Sequence, residues 1–237
     1  QSVWLVAQTG ADTSTISAGL EDYPLYPWLP YERLRRMPDK APFKAVAAFL
    51  QDYGDTLPGH KLRALVLERY GRSGRHAEFL KLYEPAQASV DLRCHAFSAR
   101  RAQKIAGDDL AEATALWQAL DKDRADCRPV LGWLRAQGWL TAARVHARIE
   151  EALRAGQTGL AQVLMNELPK AERAAVSRAI LARADATLAL NQAGKWPATA
   201  ASAQAAGVAL QGAARKSAAT AEMRYQALRG HLPFSEA

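Results

Sequence analysis

Residues 22–34 read Asp22-Tyr23-Pro24-Leu25-Tyr26-Pro27-Trp28-Leu29-Pro30-Tyr31-Glu32-Arg33-Leu34, with three prolines and four aromatic residues close together. Such a stretch is not generic helix. Each proline fixes its own φ, removes an amide donor and pushes the preceding residue towards extended geometry. Tyr23-Pro24, Tyr26-Pro27 and Leu29-Pro30 therefore predict a stiff, non-helical corner. A helix is expected to begin just after it, at Pro30 or Tyr31. From spacing alone, the aromatics of this corner seal the end of a core.

Outward from the corner, the sequence is a succession of short amphipathic helices. Phe43, Val46, Ala47 and Leu50 form one apolar stripe that ends near Gly54. A second stripe follows Pro58, with Leu62, Leu65, Val66 and Arg69 or Tyr70, and Gly71 is read as its end. A shorter helix from about Arg75 carries Phe79, Leu80 and Leu82. Residues 89–106 form the next, with Leu92, Phe97, Ala102 and Ile105 as apolar contacts and Gly107 as terminator. Asp108 or Asp109 caps the helix whose Leu110, Ala113, Leu116, Trp117 and Leu120 form a single stripe. Helices over 130–137, 140–155 and 159–168 follow, broken at Gly138, Gly156 and Pro169.

Alanine, leucine, arginine, glutamine and glutamate dominate, while β-branched and aromatic residues never alternate over a useful length, so the fold class is all-α. Each helix is too short and one-sided to be stable alone. Pairs of this kind predict an α-solenoid or superhelix in which neighbours bury each other's stripes, with a compact helical bundle as the alternative. Residues 191–237 are alanine-rich, with Pro197 and Gly212 as breaks, and small side chains predict loose packing there.

The net charge is +7, and residues 121–237 carry most of it, with 16 basic against 10 acidic side chains. A basic surface attracts nucleic acid, anionic lipid or an acidic polymer. The charges are dispersed along helices, without the clustered stripe that nucleic-acid binding calls for. No apolar run approaches the roughly 20 residues of a membrane span. The chain starts at Gln1 and its first methionine is Met37, which reads as a processed or excised segment. Cys94 and Cys127 are the only cysteines; two are too few for a zinc site and neither sits in a Cys-x-x-Cys pattern. In a reducing compartment such a pair would remain two buried thiols. His60, His76, His95, His146 and His231 are isolated in the sequence and read as surface or capping residues, so no metal site and no cofactor is expected.

The string Tyr23-Pro24-Leu25-Tyr26-Pro27-Trp28-Leu29-Pro30-Tyr31, followed by Leu34, resembles the Tyr-Pro-Leu-Tyr-Pro segment of the soluble lytic transglycosylases of bacterial cell walls. Trp133-Leu134-Arg135-Ala136 resembles that family's tryptophan-arginine-alanine turn, and residues 152–169 resemble its Ala-Gly-x-Thr-Gly-Leu segment. Three matches in the family's order cover roughly residues 20–185. The resemblance implies a superhelical ring, a periplasmic location, peptidoglycan glycan strands as the partner and a Cys94–Cys127 disulfide, which an oxidising periplasm permits.

The family's catalysis uses one glutamate in a lysozyme-like domain, within a Glu-Ser pattern followed by Gly-Leu-Met-Gln-Ile and Ala-Tyr-Asn-Ala-Gly. None of these strings occurs here. The adjacent Glu150 and Glu151 point about 100° apart on a helix and cannot pinch one glycosidic bond. No catalytic residue is assigned, and the chain alone is expected to be inactive. The domains are read as an N-terminal helix with the corner over 1–39, a superhelical part over 40–190 and an alanine-rich continuation over 191–237, the lysozyme-like domain of the parent protein being absent. Tyr23, Pro24, Tyr26, Pro27 and Tyr31 act as structural markers. Arg144, Arg148 and Arg154 are the candidate glycan contacts. The function so implied is binding or steering of glycan strands; a protein-binding scaffold of the cell envelope is the alternative.

Overall fold

The computed structural model describes residues 19–20, 22–37 and 41–234. The expected helix ahead of the corner lies outside the described residues. Among these residues there are thirteen α-helices and no strands, so the all-α expectation holds. The chain divides into two compact units, one comprising the residues up to Ala119 with Arg124–Trp133, the other Leu120–Asp123 with the residues from Leu134 onward.

The first unit holds α1 (Trp28–Arg36), α2 (Phe43–Tyr53), α3 (Leu57–Ser73), α4 (His76–Leu82), α5 (Val90–Ala102) and α6 (Asp109–Ala119), followed by a 3-10 turn at Ala125–Cys127. It also holds the start of α7 (Arg128–Ala136). The second unit holds α8 (Ala142–Arg154), α9 (Thr158–Met165), α10 (Lys170–Ala184), α11 (Ala186–Ala193), α12 (Ala200–Ala214) and α13 (Ala218–Leu228).

Short polar side chains set many of the starts. The hydroxyls of Thr56, Ser89, Thr141, Thr199 and Ser217 accept from first-turn amides of α3, α5, α8, α12 and α13. Asp108 Oδ1 accepts from the Ala111 amide at 2.9 Å, and Asp185 Oδ1 from the Leu188 amide at 2.9 Å. Each side chain satisfies a donor that the helix itself leaves unpaired.

Three expectations for the first unit need correction. The corner is not extended. Its backbone curls through successive turns, with the Tyr26 amide donating to the Tyr23 carbonyl at 2.7 Å and the Leu29 amide to the Tyr26 carbonyl at 3.0 Å. Helix α1 starts at Trp28, ahead of Pro30. Pro27 sits at its N-cap in helical geometry, φ −59° and ψ −21°, and Pro30 falls in the first turn, where a missing amide donor costs nothing.

Gly71 does not end α3. The helix runs on to Ser73 and is capped by Gly74, whose φ of 72° is left-handed. Gly71 instead allows a close helix crossing, because a Cβ there would lie 2.4 Å from His95 Cγ. Helix α5 stops at Ala102, which leaves Ile105 48% exposed and outside the core. The buried side of α5 is Cys94, His95, Ala96, Phe97 and Ala99; Ala96 and Ala99 share a core with Val46, Leu62, Val66, Tyr70 and Phe79 from the preceding helices, and Phe97 meets the Trp133 ring.

In the second unit the alanine-rich region is well packed. Ala203, Ala205, Ala206 and Ala209 of α12 are all buried, and Ala189 and Ala193 of α11 are completely so. Trp196, Leu190, Leu228 and Leu232 fill the remaining volume, and His231 Nε2 reaches the Trp196 carbonyl at 2.8 Å. Small side chains let these helices approach closely, so dispersion contacts replace the area that larger residues would bury. Gly212 lies inside α12, not at a break; Pro197 does separate α11 from α12.

Candidate functional site

The second unit carries a groove formed by α8, α10 and α12. It consists of two adjoining depressions that share Leu153, Arg154, Arg183 and Val208. The first, about 420 Å³, has an apolar floor of Ile149, Leu153, Val176 and Val208, with His146, Glu150 and Gln204 at its polar positions. His146 Nε2 is paired with Glu172 Oε2 at 2.5 Å. The second, about 550 Å³, is lined by Arg154, Arg183, Arg215, Thr158, Gln211 and small residues, and by no carboxylate.

Helix geometry explains where these arginines stand. Arg154 and Arg183 lie in the last turns of α8 and α10, and Arg215 is the C-cap of α12. Cations are favoured at helix C-termini because they complement the negative end of the macrodipole. The tertiary structure adds convergence, since three helix ends from distant parts of the sequence open onto one depression.

Of the arginines singled out in the sequence, only Arg154 lines the groove. Arg148 is buried, donates from Nη2 to the Leu120 carbonyl at 2.6 Å and pairs with Glu151 at 2.8 Å. It braces the unit. Arg144 lies over the Trp139 ring, 4.6 Å from its centroid, and donates to the Trp139 carbonyl at 2.8 Å. Glu150 faces the groove while Glu151 is engaged with Arg148, as expected for helix neighbours that point apart. Arg183 and Arg215 are not among the residues singled out in the sequence; the available signal was a basic residue at each helix C-terminus, Arg183 in the last turn and Arg215 at the C-cap.

In the first unit Cys94 and Cys127 form a disulfide, with 5.0 Å between their Cα atoms. Beside it, His95 is buried, contrary to its reading as a surface or capping residue. Its Nε2 lies 3.5 Å from Asp126 Oδ1, too long for a good hydrogen bond. Burial pushes the His95 pKa below the ordinary histidine value, outweighing the opposing pull of Asp126. Asp126 accepts two hydrogen bonds from Arg72, at 3.0 and 3.2 Å, and these hold its carboxyl below the usual range.

The corner residues are divided between anchoring and exposure. Tyr26 packs on Tyr53, Tyr31 on Trp28, and Leu29 and Leu34 are buried. Tyr23 remains 59% exposed and Leu25 58%, with Pro24 also at the surface and Pro27 half-buried, so the segment does more than seal a core. Lys61 stands over the Trp28 ring at 5.3 Å.

No protein-family model matches the chain. Over 167 residues, 70% of its length, it is 27% identical to the soluble lytic murein transglycosylase of Salmonella typhimurium. It is 26% identical to that of Escherichia coli K12 over the same extent. The match spans 26% of each relative, about a quarter of its length. Among solved structures, the fold matches an inactive mutant of the lytic transglycosylase Slt from Pseudomonas aeruginosa, with a TM-score of 0.67 and 24% identity. It also matches the 70-kDa soluble lytic transglycosylase of Escherichia coli, with a TM-score of 0.70 and 23% identity. Both alignments cover 99% of this chain and 39% of the other. The all-helical fold is therefore shared with part of these lytic transglycosylases.

Proposed function

We propose that this chain, whose relatives in sequence and fold are soluble lytic murein transglycosylases, is a non-catalytic helical part of a periplasmic peptidoglycan lytic transglycosylase that binds or steers glycan strands. The groove of the second unit is the observation that carries this reading. It combines an apolar floor with arginines that make no ion pair or hydrogen bond among the described residues, which suits a polymer alternating between sugar faces and charged groups. The catalytic strings of the family are missing from the sequence. Cleavage is accordingly assigned to a lysozyme-like domain of the parent protein and not to this chain.

Co-sedimentation with purified sacculi tests the proposal. The chain is expected to pellet with sacculi at low salt and to be released as ionic strength rises, because surface charges separated from their targets by more than a Debye length are screened. Failure to pellet at low salt overturns strand binding and leaves the protein-scaffold alternative. Release of soluble muropeptides by the chain alone contradicts its assignment as non-catalytic.

A further inference from the structure

We propose that the depression lined by Arg154, Arg183 and Arg215 is a receptor for the carboxylates of cell-wall stem peptides; this rests on the peptidoglycan reading above. These three side chains come from three helices and line one space of about 550 Å³. No Asp or Glu lines it, so the positive charge is not neutralised within the site. Many arginines elsewhere are engaged, some with carboxylates, as Arg135 with Glu167 at 2.6 Å and Arg72 with Asp126 at 3.0 Å, and some with carbonyls or an amide, as Arg173 with the Leu168 carbonyl at 2.8 Å. Three unpaired guanidinium groups on one cavity therefore call for an anionic ligand.

The surroundings identify which anion. Guanidinium presents a planar fork that matches a carboxylate in a bidentate manner. Thr158 and Gln211 add a hydroxyl and an amide to the same wall. Thr158 also opens α9, whose N-cap residue Gln157 offers no side-chain acceptor to the first-turn amides. The adjoining depression has an apolar floor suited to alanyl methyl groups, and Glu150 there can accept from a peptide ammonium. Together these features fit a short, alanine-containing peptide with free carboxylates and a positive side chain. They fit a compact phosphate less well, since it would leave the adjoining apolar floor unfilled.

Calorimetric titration of the full chain provides the test, using three probes: a stem tripeptide of alanine, glutamate and a diamino acid; the same peptide with its carboxylates amidated; and inorganic phosphate. The free peptide is expected to bind. Amidation is expected to weaken it at least about tenfold, as are Arg183→Gln and Arg215→Gln individually, the scale of one charge-assisted contact. Arg229→Gln, an exposed change outside the groove, leaves binding unchanged, and circular dichroism checks that each variant folds. Equal binding of free and amidated peptide, tighter binding of phosphate, or indifference to both groove variants overturns the proposal.

Sacculi stripped of their peptides by an amidase separate this inference from the reading it rests on. Retention that survives both stripping and the groove variants overturns the peptide site and leaves strand binding intact. Peptide binding at the groove without sacculus retention does the reverse.

Discussion

The two units differ in what their arginines meet. In the first, Arg35 pairs with the buried Glu32, Arg63 with Glu84, Arg75 with Glu78, Arg100 with Glu112, Arg101 with Asp109 and Arg124 with Asp91. These pairs join aromatic contacts and a disulfide. In the second, Arg135 pairs with Glu167 and Arg148 with Glu151, while Arg154, Arg183 and Arg215 make no ion pair among the described residues and line a groove. An arginine held by a carboxylate contributes to the fold and is unavailable to a ligand. Left unpaired on a concave surface, it contributes only through its place at a helix C-terminus and is available for binding. By this measure the paired arginines of the first unit brace its fold, and those on the groove of the second unit are open to a ligand.

Breaking the brace gives the largest expected effect. Cys94→Ser with Cys127→Ser should cost about 3–4 kcal/mol, because the bridge closes a loop between residues 33 apart and restricts the unfolded chain. Denaturant titration followed by tryptophan fluorescence measures it. A change below about 1 kcal/mol would mean that the ion pairs and core hold the first unit without the bridge.

A paired substitution within the second unit sharpens the comparison. Arg148→Gln should cost about 1.5–3 kcal/mol, since it removes a buried charged donor from the Leu120 carbonyl. Arg183→Gln, which removes no contact, should stay within about 0.5 kcal/mol. Thermal melts of the two variants side by side decide the matter; equal losses would show that the groove arginine is structural after all.

The smallest expected effect is a pH dependence of the first unit. Since His95 titrates below its ordinary value when folded, the unfolded chain takes up its proton first, near pH 6.5 for an unperturbed histidine. Stability is therefore complete above that pH and falls as pH drops towards the depressed folded value. Asp126 has the same sign further down, its contribution being lost as pH falls through its own depressed value. Melting temperature against pH should decline below neutrality, and His95→Asn should flatten the slope between pH 7 and pH 5. An unchanged slope in the variant would exclude His95 as the cause.

Much of the fold is legible in the chain. Amphipathic stripes such as Val46 and Leu50, or Leu62, Val66 and Tyr70, are local patterns, and the caps at Thr56, Ser89 and Asp108 stand directly before the helices they start. The failures share one physical origin. Gly71 and Gly212 looked like terminators because glycine is a poor helix former, yet Gly71 serves a close crossing with the ring of His95, a residue of another helix. Proline in the corner looked like a helix breaker, but position within the first turn removes the penalty. The alanines appeared too small to pack, and their packing depends on partners that local sequence does not display.

The candidate site was less legible. Arg154 was found from its helix, whereas Arg183 and Arg215 were not, and Arg148 proved to be a brace. What the sequence determined by itself was everything set by neighbours along the chain: helix class, stripes, caps, the basic second half and the markers that relate it to the cell-wall enzymes. Pairs such as Arg35–Glu32 and Arg75–Glu78 are local, three residues apart. Only the tertiary structure decided the pairs between distant residues, such as Arg63–Glu84, Arg124–Asp91 and Arg135–Glu167, and which arginines converge on one groove, because helix packing brings together residues that no local pattern relates.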